Sequence, residues 1–488
     1  AVAPPGEAGT RNDVMTGSFR VMRWAKGIVA AGLTLGVIGL IGAAVVRYAE
    51  MVGIDDLTRD AGFADHHLPA PDPRSEQELE ALRRFPPGVV ALQPLIDATP
   101  TGGTLRLEAK LYAAPGRISR PMRIEGVPGA IVDGGGIGSI VTVEADDVAI
   151  TGVTFRNSGD RHETTDSAVR LRGKHGSFKD NTIEDCLFGF ELKQSDRNII
   201  RRNRIGSKDL PEALRGDAVR VWYSNGNIIE DNDIAHSRDT VIWYATDNVV
   251  AGNRITDSRY GIHLMYAHKN RLERNSFLSN TVGIFLMYAN DNAVVDNVIH
   301  YSQGPSGIGL GFKESSNTLV EHNDFFANAR GVFMDASPYD PEAVHTFRAN
   351  RIAYNGTAVA FHSDWEGNSF EGNAFVGNHS EVTVYGTGSA NRNRWRGNLW
   401  DGWVGFDRDH DGTGDTPFES WSWADRLWMD VPDAQFFRTS PSLELIDFIE
   451  RLGSLTEPRL IVRDELPRLR LPEPDVGARG TKRPEKAS

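Results

Sequence analysis

The chain of 488 residues holds a single cysteine, Cys186, so no disulfide can form within it. That scarcity neither requires nor excludes an extracytoplasmic location. Cys186 lies in the segment NTIEDCLFGFEL, where it reads as a small core residue. A G-x-x-x-x-G-K-[ST] phosphate loop is absent, so any ATPase acting with this protein is another chain. Cationic surplus is absent too: the formal net charge is −13, which excludes a general affinity for nucleic acid. Charge is missing altogether from Gly27 to Val46, GIVAAGLTLGVIGLIGAAVV. Twenty such residues are long enough to cross a bilayer as a helix. Arg20, Arg23 and Lys26 precede them, which places the N-terminus in the cytoplasm and exports the chain beyond Val46. The expectation is a disordered cytoplasmic tail over 1–26 and a transmembrane helix or signal anchor over 27–46. A cleaved signal peptide would have a shorter apolar region and a recognisable cleavage site.

What the chain has in abundance is glycine, 50 residues of it, and asparagine at a fixed period. Asparagine pairs five residues apart recur at 198/203, 227/232, 248/253, 270/275, 292/297, 368/373 and 393/398. The clearest copies read NIIEDNDI from Asn227, NVVAGNRI from Asn248, NRLERNSF from Asn270 and NAVVDNVI from Asn292. Their first asparagines lie 21, 22 and 22 residues apart, and a fixed period of this size signals a solenoid. Two residues after each of the fourteen asparagines stands an apolar residue, from Ile200 and Ile205 to Trp395 and Trp400. An offset of two is strand alternation, so these side chains point into a core. Asparagine tolerates a left-handed backbone and bonds local amides, which places it at tight bends. The spacing predicts an all-β chain: a right-handed parallel β-helix of about a dozen coils, with like residues stacked in ladders. Regular apolar positions exclude a disordered asparagine-rich tract.

Segment 47–94 is charged and proline-bearing and reads as a linker and N-terminal cap, with a short helix near Glu76 to Arg84. Leu92 to Ala98 is predicted to be a helix sealing the open end of the solenoid, whose β-helix spans 95–400. Insertions at Ser207 to Gly216, Gln303 to Ser306 and Asp335 to His345 become surface loops. Segment 401–475 carries a calcium-loop-like stretch and a C-terminal cap, and 476–488 reads as a disordered tail. In that cap Leu443, Leu445, Ile446, Ile449 and Leu452 have helical spacing.

One stripe departs from a solvated polar face. In GIHLMY, Ile262, Leu264 and Tyr266 share the inner face, and His263 and Met265 the outer. One coil on, Phe285 and Met287 face outward; earlier coils place Val241 with Trp243, and Arg220 with Trp222. Trp222, Trp243, Met265 and Met287 therefore form an outward ladder, which suggests a binding surface for a partner. His263, Met265 and Met287 also offer an imidazole and two thioethers to a soft ion such as Cu(I).

A second candidate site follows the last coil, DRDHDGTGDTPF. Asp407, Asp409, Asp411 and Asp415 stand at positions 1, 3, 5 and 9 of a calcium loop, with Gly412 at position 6. The Thr413 carbonyl is a further ligand. Position 12 is Phe418 rather than Glu, and no helices flank the loop.

An enzyme acting on uronic-acid polysaccharides, a lyase or epimerase, is the alternative. It needs a base, an acid and a carboxylate-neutralising group together in a groove. His236, Arg238, Asp239, Arg259 and Tyr260 are candidates, but they form no motif. A surface adhesin or scaffold is a third reading, and fold alone does not choose among the three.

The segments SGD, RNSG and GDAVRVWYSN, the LMY motifs at 264–266 and 286–288, DHDGTGDTPF, FRTSP and LIVRDELP resemble the NosD family over about residues 95–475. The resemblance implies a non-enzymatic periplasmic β-helix protein needed for maturation of nitrous oxide reductase. It implies an ABC-type assembly with a NosF-like ATPase and a NosY-like permease, and copper or sulfur supply to the reductase's copper–sulfide site. A copper chaperone and the reductase itself are further implied partners. The anchor-like span departs from the cleavable signal expected of the family; with it, the protein would sit on the periplasmic side of the inner membrane.

Overall fold

The computed structural model describes residues 83–386, 388–422, 440–453 and 458–470. The tail and anchor expected over 1–46, most of the linker and the tail 476–488 lie outside the described residues. Among the described residues no helix is long and apolar enough to cross a membrane.

Each period folds as three short strands, and each strand pairs in parallel with its counterpart one coil away. The strands assemble into three sheets of 13, 14 and 12 strands, a parallel β-solenoid of about thirteen turns. Sheet 1 begins after the first asparagine of a pair, as at Ile228–Glu230, and sheet 2 after the second, as at Asp233–Ala235. Sheet 3 follows, as at Asp239–Trp243. All fourteen apolar positions two residues after the asparagines are buried. Toward the C-terminal end they become aromatic and stack: Phe347 on Phe370 at 4.5 Å, Phe370 on Trp395 at 4.2 Å, and Phe375 on Trp400 at 4.1 Å.

The asparagines behave differently from expectation. None of the fourteen has a left-handed backbone; the residue before many of them does, as at Arg197, Asp231, Asp247 and Lys269. The asparagines are buried and turn inward, and most bond the next coil; Asn292 and Asn393 instead donate to Ala267 O and Trp365 O. Asn232 N donates to Asn253 Oδ1 at 2.9 Å, Asn253 N to Asn275 Oδ1 at 2.9 Å, and Asn275 N to Asn297 Oδ1 at 2.9 Å. The amide nitrogens donate to the same oxygens and to backbone carbonyls, as Asn275 Nδ2 does to Val250 O at 2.8 Å. A buried side chain that must reach along the stack needs ordinary strand geometry, so the left-handed bend moves one residue upstream. In the first-asparagine ladder Thr318 and His345 replace asparagine; His345 is fully buried, and its Nδ1 accepts from Thr318 N at 3.1 Å. Burial pushes its pKa down to about 3.

Both ends of the stack are covered. The helix Leu92–Ala98 buries Leu92 and Ile96 over the first coils. At Gly116 a Cβ would stand 2.7 Å from Leu92, so glycine permits this contact. The other end is closed by an antiparallel hairpin, Phe418–Ser422 with Arg459–Asp464. Phe418 stacks on Trp400 at 4.3 Å. Asp464, fully buried, accepts from Asn398 N at 2.9 Å and from Trp400 Nε1 at 3.1 Å, ending the second asparagine ladder on a carboxylate. The helix expected in this cap forms at Pro441–Leu452, but Leu445, Ile446, Ile449 and Leu452 are exposed. The hairpin covers the last coil because its aromatic and carboxylate groups match the stack's open face.

Candidate functional site

The outward side of sheet 3 carries the candidate face. Trp222 pairs in register with Trp243, Trp243 with Met265, and Met265 with Met287. The indoles of Trp222 and Trp243 stack at 5.7 Å and 15°. The stripe continues: Phe285 and Met287 pack with Val282 and Ile308, and Phe333 adds to this outer cluster. Gly311 lies between Phe285 and Phe333, and a Cβ there would meet the Phe285 ring at 2.4 Å. Glycine at this point lets the ring fold across the face.

Tyr266 corrects the inside–outside reading. It does not join Ile262 and Leu264 in the core; it is exposed and has a φ of 49°. The left-handed turn at the strand's end swings the side chain outward, where alternation would have put it inside. Tyr223, Tyr244 and Tyr288 do the same. The four rings form a stack with centroids 5.0, 5.0 and 4.7 Å apart, beside the Trp222–Trp243 pair. The repeated W-Y and M-Y pairs were the available signal for this tyrosine column.

His263 sits beside Met265 in the strand Tyr260–Met265. Tyr260 stacks on it at 4.7 Å, and Phe285 meets it edge-on at 6.1 Å. Burial lowers its pKa, against a weaker upward pull from Asp239, so it is a neutral imidazole at pH 7. Its Nε2 is buried without a hydrogen-bond partner, and so are Nε1 of Trp222 and Nε1 of Trp243.

The residues suggested for polysaccharide chemistry divide. Arg238, Asp239, Arg259 and Tyr260 meet at the edge of sheet 3, with Arg220 and with Asp217, which pattern reading missed. Arg238 Nη2 lies 2.9 Å from Asp217 Oδ1, and Arg259 Nε donates to Asp239 Oδ1 at 3.0 Å. Both carboxylates are buried. Burial and the nearby Asp239 raise the Asp217 pKa against the arginines. His236 lies apart, bonded to Asp257 at 2.6 Å. The pairs come from one-coil register between R-D and R-Y segments, a relation visible only once the coils are aligned.

In the acidic loop, carboxylate oxygens of Asp407, Asp409 and Asp411 lie within 4.8 Å of one another. Asp415 turns elsewhere, accepting from Arg408 N at 2.7 Å. Thr413 donates its N–H to Asp411 Oδ1 at 2.6 Å and bridges to Arg468. Three of the five residues named for this site therefore converge. Three carboxylates on a tight turn fit a hard cation, with water completing the shell.

The fold and the face define a parallel β-helix protein with an outward aromatic and thioether ladder. Residues 206–405 match the family described as periplasmic copper-binding protein (NosD). A probable ABC transporter binding protein NosD of Pseudomonas aeruginosa is 32% identical over 387 residues, covering 76% of this chain and 89% of its own. One of Stutzerimonas stutzeri is 26% identical over 420 residues, covering 75% and 87%. The chain belongs to the NosD family. Among solved structures, the A-module of a mannuronan C-5 epimerase from Azotobacter vinelandii is similar at 16% identity and a TM-score of 0.47. It spans 61% of this chain and 92% of its own. An α-1,3-glucanase catalytic unit from Streptomyces thermodiastaticus is similar at 15% identity and a TM-score of 0.49, spanning 65% and 70%.

Proposed function

We propose that this protein is a non-enzymatic periplasmic accessory of an ABC-type transporter, handling copper through the face of Trp222, Trp243, His263, Met265 and Met287. The observation that carries the reading is the set of three buried polar atoms without partners, at Trp222, Trp243 and His263. A buried donor or acceptor left unmade costs about 1–3 kcal/mol, and a face with three of them is built to receive something. Two thioethers in register and a neutral imidazole suit Cu(I) as cargo. The indoles and tyrosines suit a protein partner that covers them. The finer reading assigns delivery of copper, or sulfur, to the copper site of nitrous oxide reductase. A NosF-like ATPase, a NosY-like permease and a copper chaperone would work beside it, with residues 27–46 as the membrane anchor. The polysaccharide-enzyme reading is less supported, because Asp217 and Asp239 are buried and paired with arginines.

The test is Met265→Ala combined with Met287→Ala. The fold is expected to survive, and Cu(I) binding and maturation of the copper enzyme in cells are expected to fall. A folded double variant that still binds Cu(I) and matures the enzyme fully would sink the assignment. A subsidiary reading gives Asp407, Asp409 and Asp411 a structural Ca²⁺, with the Thr413 carbonyl and Asp415 as outer members. It predicts that calcium raises the melting temperature of wild type and not of Asp409→Ala/Asp411→Ala; equal melting of wild type with calcium and with chelator overturns it.

A further inference from the structure

On the outside of sheet 1, arginines normally face a carboxylate. Arg348 Nε donates to Glu321 at 2.6 Å, and Arg394 lies 3.2 Å from Glu371. Arg396 and Arg468 are different: among the described residues neither has a carboxylate within 4.0 Å. Both line one cleft of about 430 Å³ at the junction of the last coils with the closing hairpin, together with Arg348, Glu371, Gly372 and Thr413.

Two independent features build this cleft. The first is the left-handed corner before the second asparagine. Earlier coils place Arg274, Asp296 and His322 there; the last three place Ala349, Gly372 and Gly397, all with positive φ. Large polar side chains give way to none, and the corner opens. The second is the far wall. Gly414 N donates to Pro467 O at 2.7 Å and Leu469 N to Gly412 O at 3.1 Å, which fixes the segment bearing Arg468 against the acidic loop. Arg468 N donates to Asn398 O at 2.9 Å, tying that segment to the last coil as well. Arg348, Glu371 and Arg396 stand in register on consecutive coils opposite.

Arg396 and Arg468 therefore line one cleft without a carboxylate of their own, beside Arg348, which Glu321 already holds, and Glu371, which Arg394 engages, in a chain of net charge −13. Guanidinium forks match tetrahedral oxyanions with paired N–H donors. We propose that this cleft binds a phosphate or sulfate group, free or carried on a small molecule that fills the remaining volume. It lies apart from the sheet 3 face and does not depend on the copper reading.

The experiment is calorimetric titration of the full chain with inorganic phosphate, sulfate and glucose 1-phosphate in constant excess chloride. Saturable one-to-one binding is expected, weakened about tenfold or more by Arg396→Gln, which removes a charged pair of N–H donors. Arg396 makes no tie to the hairpin, so this variant separates binding from folding; Arg468→Gln is the second arm, and Arg271→Gln, outside the cleft, is the control. Tighter binding of glucose 1-phosphate assigns the rest of the cleft to the ester's body, and equal or tighter binding of inorganic phosphate assigns the free ion. No saturable binding of any of the three, or binding unchanged by Arg396→Gln, overturns the proposal.

Discussion

Sheets 1 and 3 are built by the same coils and the same inward apolar rows, yet their outer faces differ in kind. Sheet 1 is laced with ion pairs made within the chain, such as Arg348 with Glu321, Arg394 with Glu371 and Arg271 with Glu273. Its charges satisfy one another over most of their length. Sheet 3 presents stacked indoles, thioethers and a histidine, and leaves three buried polar atoms of that face unmet, against Nε of Arg201 on the charged face of sheet 1. A repeat that pairs most of its surface charges on one side and leaves apolar rings with unmet polar atoms on another places its less self-satisfied surface on sheet 3.

That contrast can be broken from inside. Asn275→Ala removes a side chain that accepts from Asn253 and donates to Val250 and Asn297, beneath both faces at once. A loss on the order of 3 kcal/mol is expected from donors left buried, read as a drop in the urea midpoint. A shift under about a third of that would mean the ladders contribute little.

Acid acts on the same interior. His345 is held neutral, with its pKa pushed down to about 3, so the unfolded chain binds one more proton between pH 6.5 and 3. This group's stability is complete above pH 6.5 and falls by roughly 1.4 kcal/mol per pH unit below it. His345→Asn should flatten that part of the urea-midpoint profile; an unchanged acid slope would remove His345 as a cause.

The faces themselves give smaller and opposite effects. His263→Phe on sheet 3 removes the unmet Nε2 from a pocket of Tyr260 and Phe285, and stability should rise by about 1 kcal/mol while Cu(I) binding weakens. Destabilisation would show that the nitrogen is satisfied. Arg271→Gln on sheet 1 breaks one of two pairs made by Glu273, which keeps Arg274, and a change within about 0.5 kcal/mol is expected in the same assay. A larger loss would deny that this face is merely solvated.

Much of this was legible in the sequence, because a period of 21 or 22 residues and an offset of two fix which side chains are inside. Ile229, Val250, Leu272 and Val294 are buried where that count places them. The ladder from Trp222 to Met287 followed from the same count. What escaped lies where alternation stops. Tyr266 follows the strand's last alternating residue and turns left-handed, so its side chain leaves the inner row. The asparagines were placed at bends by their conformational tolerance, whereas their hydrogen bonds to the next coil decide their geometry. The pairs Arg238–Asp217 and Arg259–Asp239 join residues about one period apart, so neither appears as a local motif. The closing hairpin joins strands separated by some forty residues and has no periodicity to betray it.

The carboxylate of Asp464 gives the asparagine column a direction in time. Every asparagine along it gives its backbone N–H to the side chain of the coil that follows, so the column always ends in an unspent N–H group. During synthesis the first coils are made first, and each new turn quenches the donors of the one before while exposing its own. Asp464 comes after the last coil and offers acceptors with nothing left to donate, binding Gly397 N, Asn398 N and Asn398 Nδ2 together. It acts as a terminator of a growing filament within one chain. A nascent chain halted before this residue would carry a live end, competent to recruit the first acceptor-bearing segment it meets.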